Sequence, residues 1–461
     1  MRLRVPTTPM GPYPSMGPSR AAHLRSSAWR VAVLWAPVDM IRSPSPAQPV
    51  PRHSRPDSLP LSHSPVATRS GILSARMHLK VLALLLVLSA LVSCARIGNP
   101  QGGSGGTISG DALYIATRDG ELLALDRATG SKLWGFALAG EDRTRAIYGA
   151  PAVDGETVYI GGYDGVLYAL STDVQKGGNP KERDSVFVGD AIIGSPVVAD
   201  GVVLVGSSDF NLHAFDILEE DSDLSLIKRD GFPFATKNMV WSTPVVADGV
   251  VYFGSLDHGV YAVNLDDGSQ KWRFPADGGV VASPVVENGR VYVGSLDQTF
   301  YAINAETGDA VWRFDGASNW YWGQAIVTGD TVYAPSLDGT LYALDKDTGT
   351  LDWTVETDGS IVGTPVIVGD FIAVPSLDGI LRLVNLNDRN DRFVCNVEEE
   401  IRSSLVAQDG SIYFRAKDRS VRALNVARRG NPDEDWMYAT REDPGNEVIS
   451  WACTGPKRSV N

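Results

Sequence analysis

From residue 107 onward, short apolar runs alternate with clusters of Gly, Asp, Asn and Pro. The runs at 197–198, 202–205, 312–314 and 341–344 are rich in β-branched and aromatic residues. Such side chains suit strands, and no amphipathic-helix spacing near ~3.6 residues accompanies them. The pattern then repeats. Ser242-Thr243-Pro244-Val245-Val246 through Gly254-Ser255-Leu256-Asp257 returns 40 residues later as Ala282-Ser283-Pro284-Val285-Val286 through Gly294-Ser295-Leu296-Asp297. The closing Asp recurs as Asp119, Asp164, Asp209, Asp257, Asp297, Asp338, Asp378 and Asp418, at intervals of 40 to 48 residues.

Turn signals divide each unit into four runs. Asp200-Gly201, Asp248-Gly249, Asn288-Gly289 and Asp409-Gly410 separate the first two; Asp119-Gly120, Asp164-Gly165, Asp338-Gly339 and Asp378-Gly379 separate the second and third. Both dipeptides tolerate the positive φ of tight hairpins. Four antiparallel strands per unit, eight times over, predict an all-β, eight-bladed β-propeller spanning 107–461. The first unit lacks the Ser-Pro-Val entry and has Gly106-Thr107-Ile108-Ser109 instead. A spare strand at 448–453 offers Trp451-Ala452-Cys453, which aligns with Trp241-Ser242-Thr243. This predicts a C-terminal strand completing the first blade and leaving no open edge at the join.

Upstream, the pattern changes. Residues 1–76 hold ten Arg, no Lys, two Asp and 13 of the 27 prolines, without apolar periodicity. Such a segment cannot bury enough surface to offset its ordering entropy. It reads as disordered, or as sequence ahead of the true start, and Met77 favours the second reading. Met77-His78-Leu79-Lys80 opens a basic region followed by an apolar run at 81–88. The run is short for a ~30 Å hydrocarbon core and fits a signal peptide over 77–94. Leu91-Val92-Ser93-Cys94 resembles the bacterial lipobox, which implies lipidation of Cys94 and a stable membrane anchor. A Gly-rich tether occupies 95–106.

The formal net charge of -14 resolves into +8 for 1–76, +1 for 77–94 and -23 for 95–461. A strongly acidic exported domain argues against nucleic acid as a partner, since phosphate binding needs clustered Lys and Arg. Three cysteines allow neither a disulfide framework nor a thiolate metal cluster. The predicted topology puts Cys395 on an outer strand and Cys453 on the inner closing strand, which argues against a bridge between them.

The connection between third and fourth strands carries Ala124-Leu125-Asp126-Arg127-Ala128-Thr129-Gly130-Ser131-Lys132-Leu133-Trp134. This resembles the Ala-x-Asp-x-x-Thr-Gly-x-x-x-Trp docking motif of the pyrroloquinoline-quinone (PQQ)-type propeller repeat. Residues 343–353 match it in full, while 302–312 and 262–272 have Asn304 and Asn264 for the Asp. Units two, three and seven lack both the Thr-Gly and the Trp. In the motif, the Asp bonds turn N–H groups, Gly supplies positive φ and the indole packs against the next blade. Trp134, Trp272, Trp312 and Trp353 are therefore assigned to blade docking.

Two classes of function fit this repeat. A propeller on a lipid anchor resembles the BamB family of envelope lipoproteins. That resemblance implies a monomeric, non-enzymatic scaffold, extracytoplasmic and periplasmic where the host has an outer membrane, that binds a protein partner through loops. The alternatives are a ligand-sensing propeller or a quinoprotein dehydrogenase using PQQ and Ca²⁺. The quinoprotein resemblance implies a vicinal Cys pair and pocket-building insertions, and the sequence has neither. The recurrent Asp residues sit in turns spread around the ring, and His213 and His258 stand outside any metal or nucleophile motif. No catalytic residue, metal site or cofactor is assigned.

Candidate contact residues come from the entry to each innermost strand. Alignment there gives Tyr148, Ile193, Trp241, Val281, Trp322, Val362, Arg402 and Trp451, preceded in one unit by Trp320 and Tyr321. Tyr, Trp and Arg are enriched at binding hot spots. Tyr148, Trp241, Trp322, Arg402 and Trp451 form a candidate surface at the funnel mouth; the alternative is that they plug the channel or pack between blades. The enlarged connections at 171–185 and 218–232 offer a second candidate. The first carries Lys176, Lys181, Glu182 and Arg183; the second carries Glu219, Glu220, Asp221 and Asp223.

Overall fold

The computed structural model describes residues 105–117, 120–139, 145–174, 178–221, 223–426, 433–439 and 453–454. Residues 1–104, with Cys94 and the signal-like segment, lie outside these, as do Asp119, Lys176, Trp451 and 448–452. The described chain forms eight antiparallel sheets. Their strands span 106–137, 152–187, 197–235, 245–275, 285–314, 326–356, 366–396 and 406–439, numbered here as blades one to eight. Each is a four-strand meander; blade three adds the short strand Phe234–Ala235, and blade seven adds Cys453–Thr454. The fold is the eight-bladed β-propeller that the repeat predicts.

The two sets of turns differ. Between first and second strands, blades three, four, five and eight place both central residues at positive φ, as at Asp248 (51°) and Gly249 (72°), whereas blades one, two, six and seven place only the glycine there, as at Gly329 (56°). Between second and third strands the recurrent Asp does other work. Asp297 accepts hydrogen bonds from Thr299 N at 2.8 Å, from the Tyr301 hydroxyl at 2.9 Å and from Asp277 N at 2.9 Å. It clasps its own turn, the strand after it and the connector entering its blade. Asp257 and Asp338 make the same three bonds or two of them.

Blades dock through the motif's indole. The Trp272 N–H donates to Ala305 O at 2.9 Å, and the Trp312 N–H to Lys346 O at 2.9 Å, each on the next blade's turn. The glycines of those turns, Gly308 and Gly349, have φ of 78° and 71°. A Cβ on Gly349 would lie 2.5 Å from the Trp312 ring, so the close approach and the backbone conformation both require glycine. Trp134 is buried against Val158, Ile160 and Leu170 of blade two. Trp353 packs on Ile372 and Val384 of blade seven, with the Arg389 guanidinium 5.9 Å from its ring centroid.

Ring closure departs from expectation. The innermost position of blade one is filled by Gly106–Ser109, paired in register with Ala112–Ala116. That edge is occupied, and among the described residues no C-terminal strand joins the blade. Cys453 and Thr454 pair instead with Cys395 and Val394, on the outer edge of blade seven. The expectation against a Cys395–Cys453 bridge falls with it. Both cysteines lie on outer strands, directly opposite each other, and they are disulfide-bonded. Blade eight meets blade one by the same indole docking as blades four and five. The Trp436 N–H donates to Arg127 O at 2.9 Å, and Arg127 pairs with Asp409 at 2.7 Å. Arg415 Nη1 reaches Ala116 O at 3.1 Å. A polar cavity of about 500 Å³ lies at this seam, lined by Asp111, Asp126, Arg127, Asp409, Ser411 and Tyr413.

Candidate interaction face

The connectors that enter the innermost strands share a face with the turns between second and third strands. Hydroxyl side chains just ahead of the strand stitch neighbouring connectors together. Ala150 N donates to Ser195 Oγ at 2.8 Å, Ser195 N to Thr243 Oγ1 at 2.9 Å and Thr243 N to Ser283 Oγ at 3.1 Å. Thr364 N donates to Ser404 Oγ at 3.1 Å, and Thr107 Oγ1 donates to Pro151 O at 2.6 Å across the first junction. The Ser-Pro and Thr-Pro dipeptides of the repeat thus supply inter-blade acceptors, a role that the sequence reading did not assign.

On this framework sit the aligned aromatics. Tyr148, Trp241, Trp322 and Arg402 are all half-buried, as are Ile193 and Val362, whereas Val281 is buried. The Tyr148 ring lies 5.8 Å from that of Tyr163. The Trp241 N–H donates to Ser208 Oγ at 3.0 Å. Arg402 is held by Glu400 at 2.6 Å, and Glu400 also pairs with Lys417 at 2.7 Å. Burial works against the Glu400 charge, but the hydrogen bonds from Lys417 and Arg402 outweigh it and hold the carboxyl below its usual range. The Trp320-Tyr321-Trp322 run splits its duties. Trp320 is 39% exposed, whereas Tyr321 is fully buried beside Phe300 and Tyr342. Burial pushes the Tyr321 hydroxyl well above its ordinary range. The same face exposes Phe210, whose φ of 76° is unusual for a bulky residue, and Phe187.

Four residues after each recurrent Asp stands a second column. Tyr168, Tyr261, Tyr301 and Tyr342 donate their hydroxyls to Asp164, Asp257, Asp297 and Asp338. Burial, then the carboxylate, pushes Tyr261 and Tyr301 up to about 12. Blade three substitutes His213, whose Nε2 lies 2.9 Å from Asp209. Blade eight substitutes the buried Arg422, 2.6 Å from Asp418. Among the described residues, no three His, Cys, Asp or Glu side chains are grouped to hold a metal ion.

The enlarged connections resolve into different structures. The first leads into the strand Glu182–Phe187. The second is mostly not a loop: Asn211–Glu220 and Asp223–Lys228 form an extended hairpin around Asp221. Blades two and three also replace the docking tryptophan, by means the sequence reading missed. Asp184 stands opposite Ala169, where regular blades place Trp, and its Oδ2 accepts from Leu226 N of blade three at 2.7 Å. Arg229 N bonds Ala214 O at 3.0 Å, which puts its side chain in the tryptophan position of blade three. Its Nε donates to Leu265 O at 2.9 Å, the carbonyl equivalent to Ala305 O and Lys346 O.

Known proteins resemble this chain in sequence and in fold. The family model described as outer membrane protein assembly factor BamB matches residues 95–218, 221–320 and 311–394. A protein named outer membrane protein assembly factor BamB from Xanthomonas campestris pv. campestris is 26% identical over 126 residues, 26% of this chain and 28% of its own length. One of the same name from Yersinia pestis is 31% identical over 114 residues, 23% of this chain and 28% of its own length. The alignments therefore span under a third of either relative. The crystal structure of BamB from Moraxella catarrhalis superposes with a TM-score of 0.58 at 19% identity, covering 71% of this chain and 95% of that one, a likeness of fold. With the family model covering more than half of the sequence, the chain belongs to the outer membrane protein assembly factor BamB family.

Proposed function

We propose that this chain is a non-enzymatic protein-interaction propeller, anchored by lipid at Cys94 outside the cytoplasmic membrane, that serves the assembly of outer-membrane proteins. In this reading it acts as a monomer, binds a protein partner in the cell envelope and uses neither PQQ nor calcium. The observation that carries it is the connector face, where Tyr148, Trp241 and Trp322 are held half-exposed on a hydrogen-bonded frame. Rigid aromatic side chains expose large contact area at low entropic cost, as binding hot spots do. Family membership agrees with this use. The Cys395–Cys453 disulfide agrees with an oxidising compartment.

The test is a Trp241→Ala, Trp322→Ala double variant of the acylated protein, affinity-purified from its own envelope. Loss of the co-purifying partner with an unchanged melting temperature is expected. Retention of the partner, or unfolding of the variant, would assign these residues to packing instead.

A further inference from the structure

The extended hairpin of blade three presents a surface that blade docking leaves unused. Its third strand has 10 residues, against 5 or 6 in every other blade. Ile217, Leu224 and Leu226 turn toward blade two and join its core. Because strand side chains alternate, the opposite face follows from the register, in which Asp216 pairs with Ile227, Leu218 with Ser225 and Glu220 with Asp223. Leu218 is 51% exposed and Ile227 is 48% exposed. They are diagonal neighbours, about 7–8 Å apart in such ladders, and together form one aliphatic patch.

Among the described residues the hairpin tip carries Glu219, Glu220, Asp221 and Asp223, of which Glu219 is paired with Arg183 at 3.0 Å. Glu220 and Asp223 stand directly across the ladder from each other, and Asp221 at φ 56° makes the turn beside them. Like charges opposed across strands are unfavourable. Lys181, itself exposed, comes no nearer to Asp223 than 3.9 Å, a separation at which a solvated pair is worth little. Asp216, at the base, is already paired with Arg229. A cation arriving from outside, together with an apolar side chain over Leu218 and Ile227, satisfies both features at once.

We propose that this hairpin face docks a basic amphipathic segment of a partner protein, with Lys or Arg between Glu220 and Asp223 and an aliphatic side chain on the patch. The inference rests on the protein-interaction reading and adds a second contact surface of defined chemistry, separate from the connector face.

The test places the photo-crosslinker p-benzoylphenylalanine at position 218 of the full chain, expressed in its own host. The same probe at Leu351, 43% exposed on a regular blade, is the control. The proposal expects one protein adduct specific to position 218, whose cross-linked peptide contains Lys or Arg beside aliphatic residues. Adding Glu220→Lys and Asp223→Lys should lower its yield about tenfold, equivalent to about 1.4 kcal/mol, at an unchanged melting temperature. A lipid adduct, an adduct to a second copy, a pattern matching the control or a yield indifferent to charge reversal overturns it. A partner that still co-purifies with the wild-type chain, without any adduct at 218, overturns the hairpin face alone. Loss of both overturns the interaction reading as well.

Discussion

Blades four to six and blades two to three solve one packing problem with different chemistry. In the first group an indole reaches the next blade's turn, as Trp272 does at Ala305 O and Trp312 at Lys346 O. An aromatic two residues further on meets the next blade's tyrosine: Phe274 lies 5.2 Å from Tyr301, and Phe314 lies 5.1 Å from Tyr342. At the junction of blades two and three the polarity reverses. Asp184 accepts from Leu226 N, and His213 stands where tyrosine does elsewhere. From blade three to four the donor is again an N–H, now on Arg229. Blades four and five make the blade-to-blade hydrogen bond with an indole, and blades two and three make it without one, so the bond and the aromatic bulk are separable. Freed from the indole, blade three could lengthen its docking turn into the acidic hairpin.

If that division holds, the largest loss should follow from the aromatic group. Trp312→Ala removes a buried ring against Gly349, Tyr292 and Phe300, and should cost about 3–5 kcal/mol in chemical denaturation. Trp312→Phe should cost much less, because Lys346 O also accepts from Arg290 at 2.9 Å. Equal losses in the two variants would mean that the N–H, and not the ring, dominates. In the polar group, Asp184→Ala strands the Leu226 N–H, on a residue 6% exposed, and should cost about 1–3 kcal/mol. Asp184→Asn keeps an acceptor and should recover most of that loss. No recovery would place the value of Asp184 in its charge.

The regular group was legible in the sequence and the polar group was not. Two-residue turns need particular residues, so Asp-Gly and Asn-Gly mark the strand boundaries and, through their spacing, the blade count. The Ala-to-Trp interval of ten exposes Trp134, Trp272, Trp312 and Trp353. Trp436 stands opposite Ala423 in the same ladder position, but thirteen residues on, and escaped that spacing. Asp184 and Arg229 carry no motif, because each acquires meaning only from a partner 42 or 36 residues away. The disulfide was missed for a related reason. Aligning Trp451-Ala452-Cys453 with an innermost strand fixed Cys453 far from Cys395, although the chain had already supplied blade one with Gly106–Ser109. Local pattern identifies a strand; which edge it joins depends on which edges are free. For the contact face, the sequence located Tyr148, Trp241, Trp322 and Arg402 but could not reveal the hydroxyl stitches beneath them.

The smallest expected effect separates the two groups by pH. Burial works against ionisation of Asp209, but hydrogen bonds from His213, Asn211 and Ser207 outweigh it and hold the carboxyl below its ordinary 3.8. A carboxyl lowered in the folded state contributes stability that is present above its unfolded value and lost as pH falls through the folded one. The tyrosines of blades four and five behave in the opposite sense. With Tyr261 and Tyr301 raised to about 12 from 10.0, their contribution is present below 10.0 and lost as pH rises through about 12. Asp209→Asn should therefore flatten the fall of melting temperature on the acid side of 3.8 and leave the alkaline limb unchanged. Tyr301→Phe should do the reverse, flattening only the alkaline limb. Parallel acid limbs in wild type and Asp209→Asn would mean that the Asp209–His213 clasp within blade three does not depend on charge.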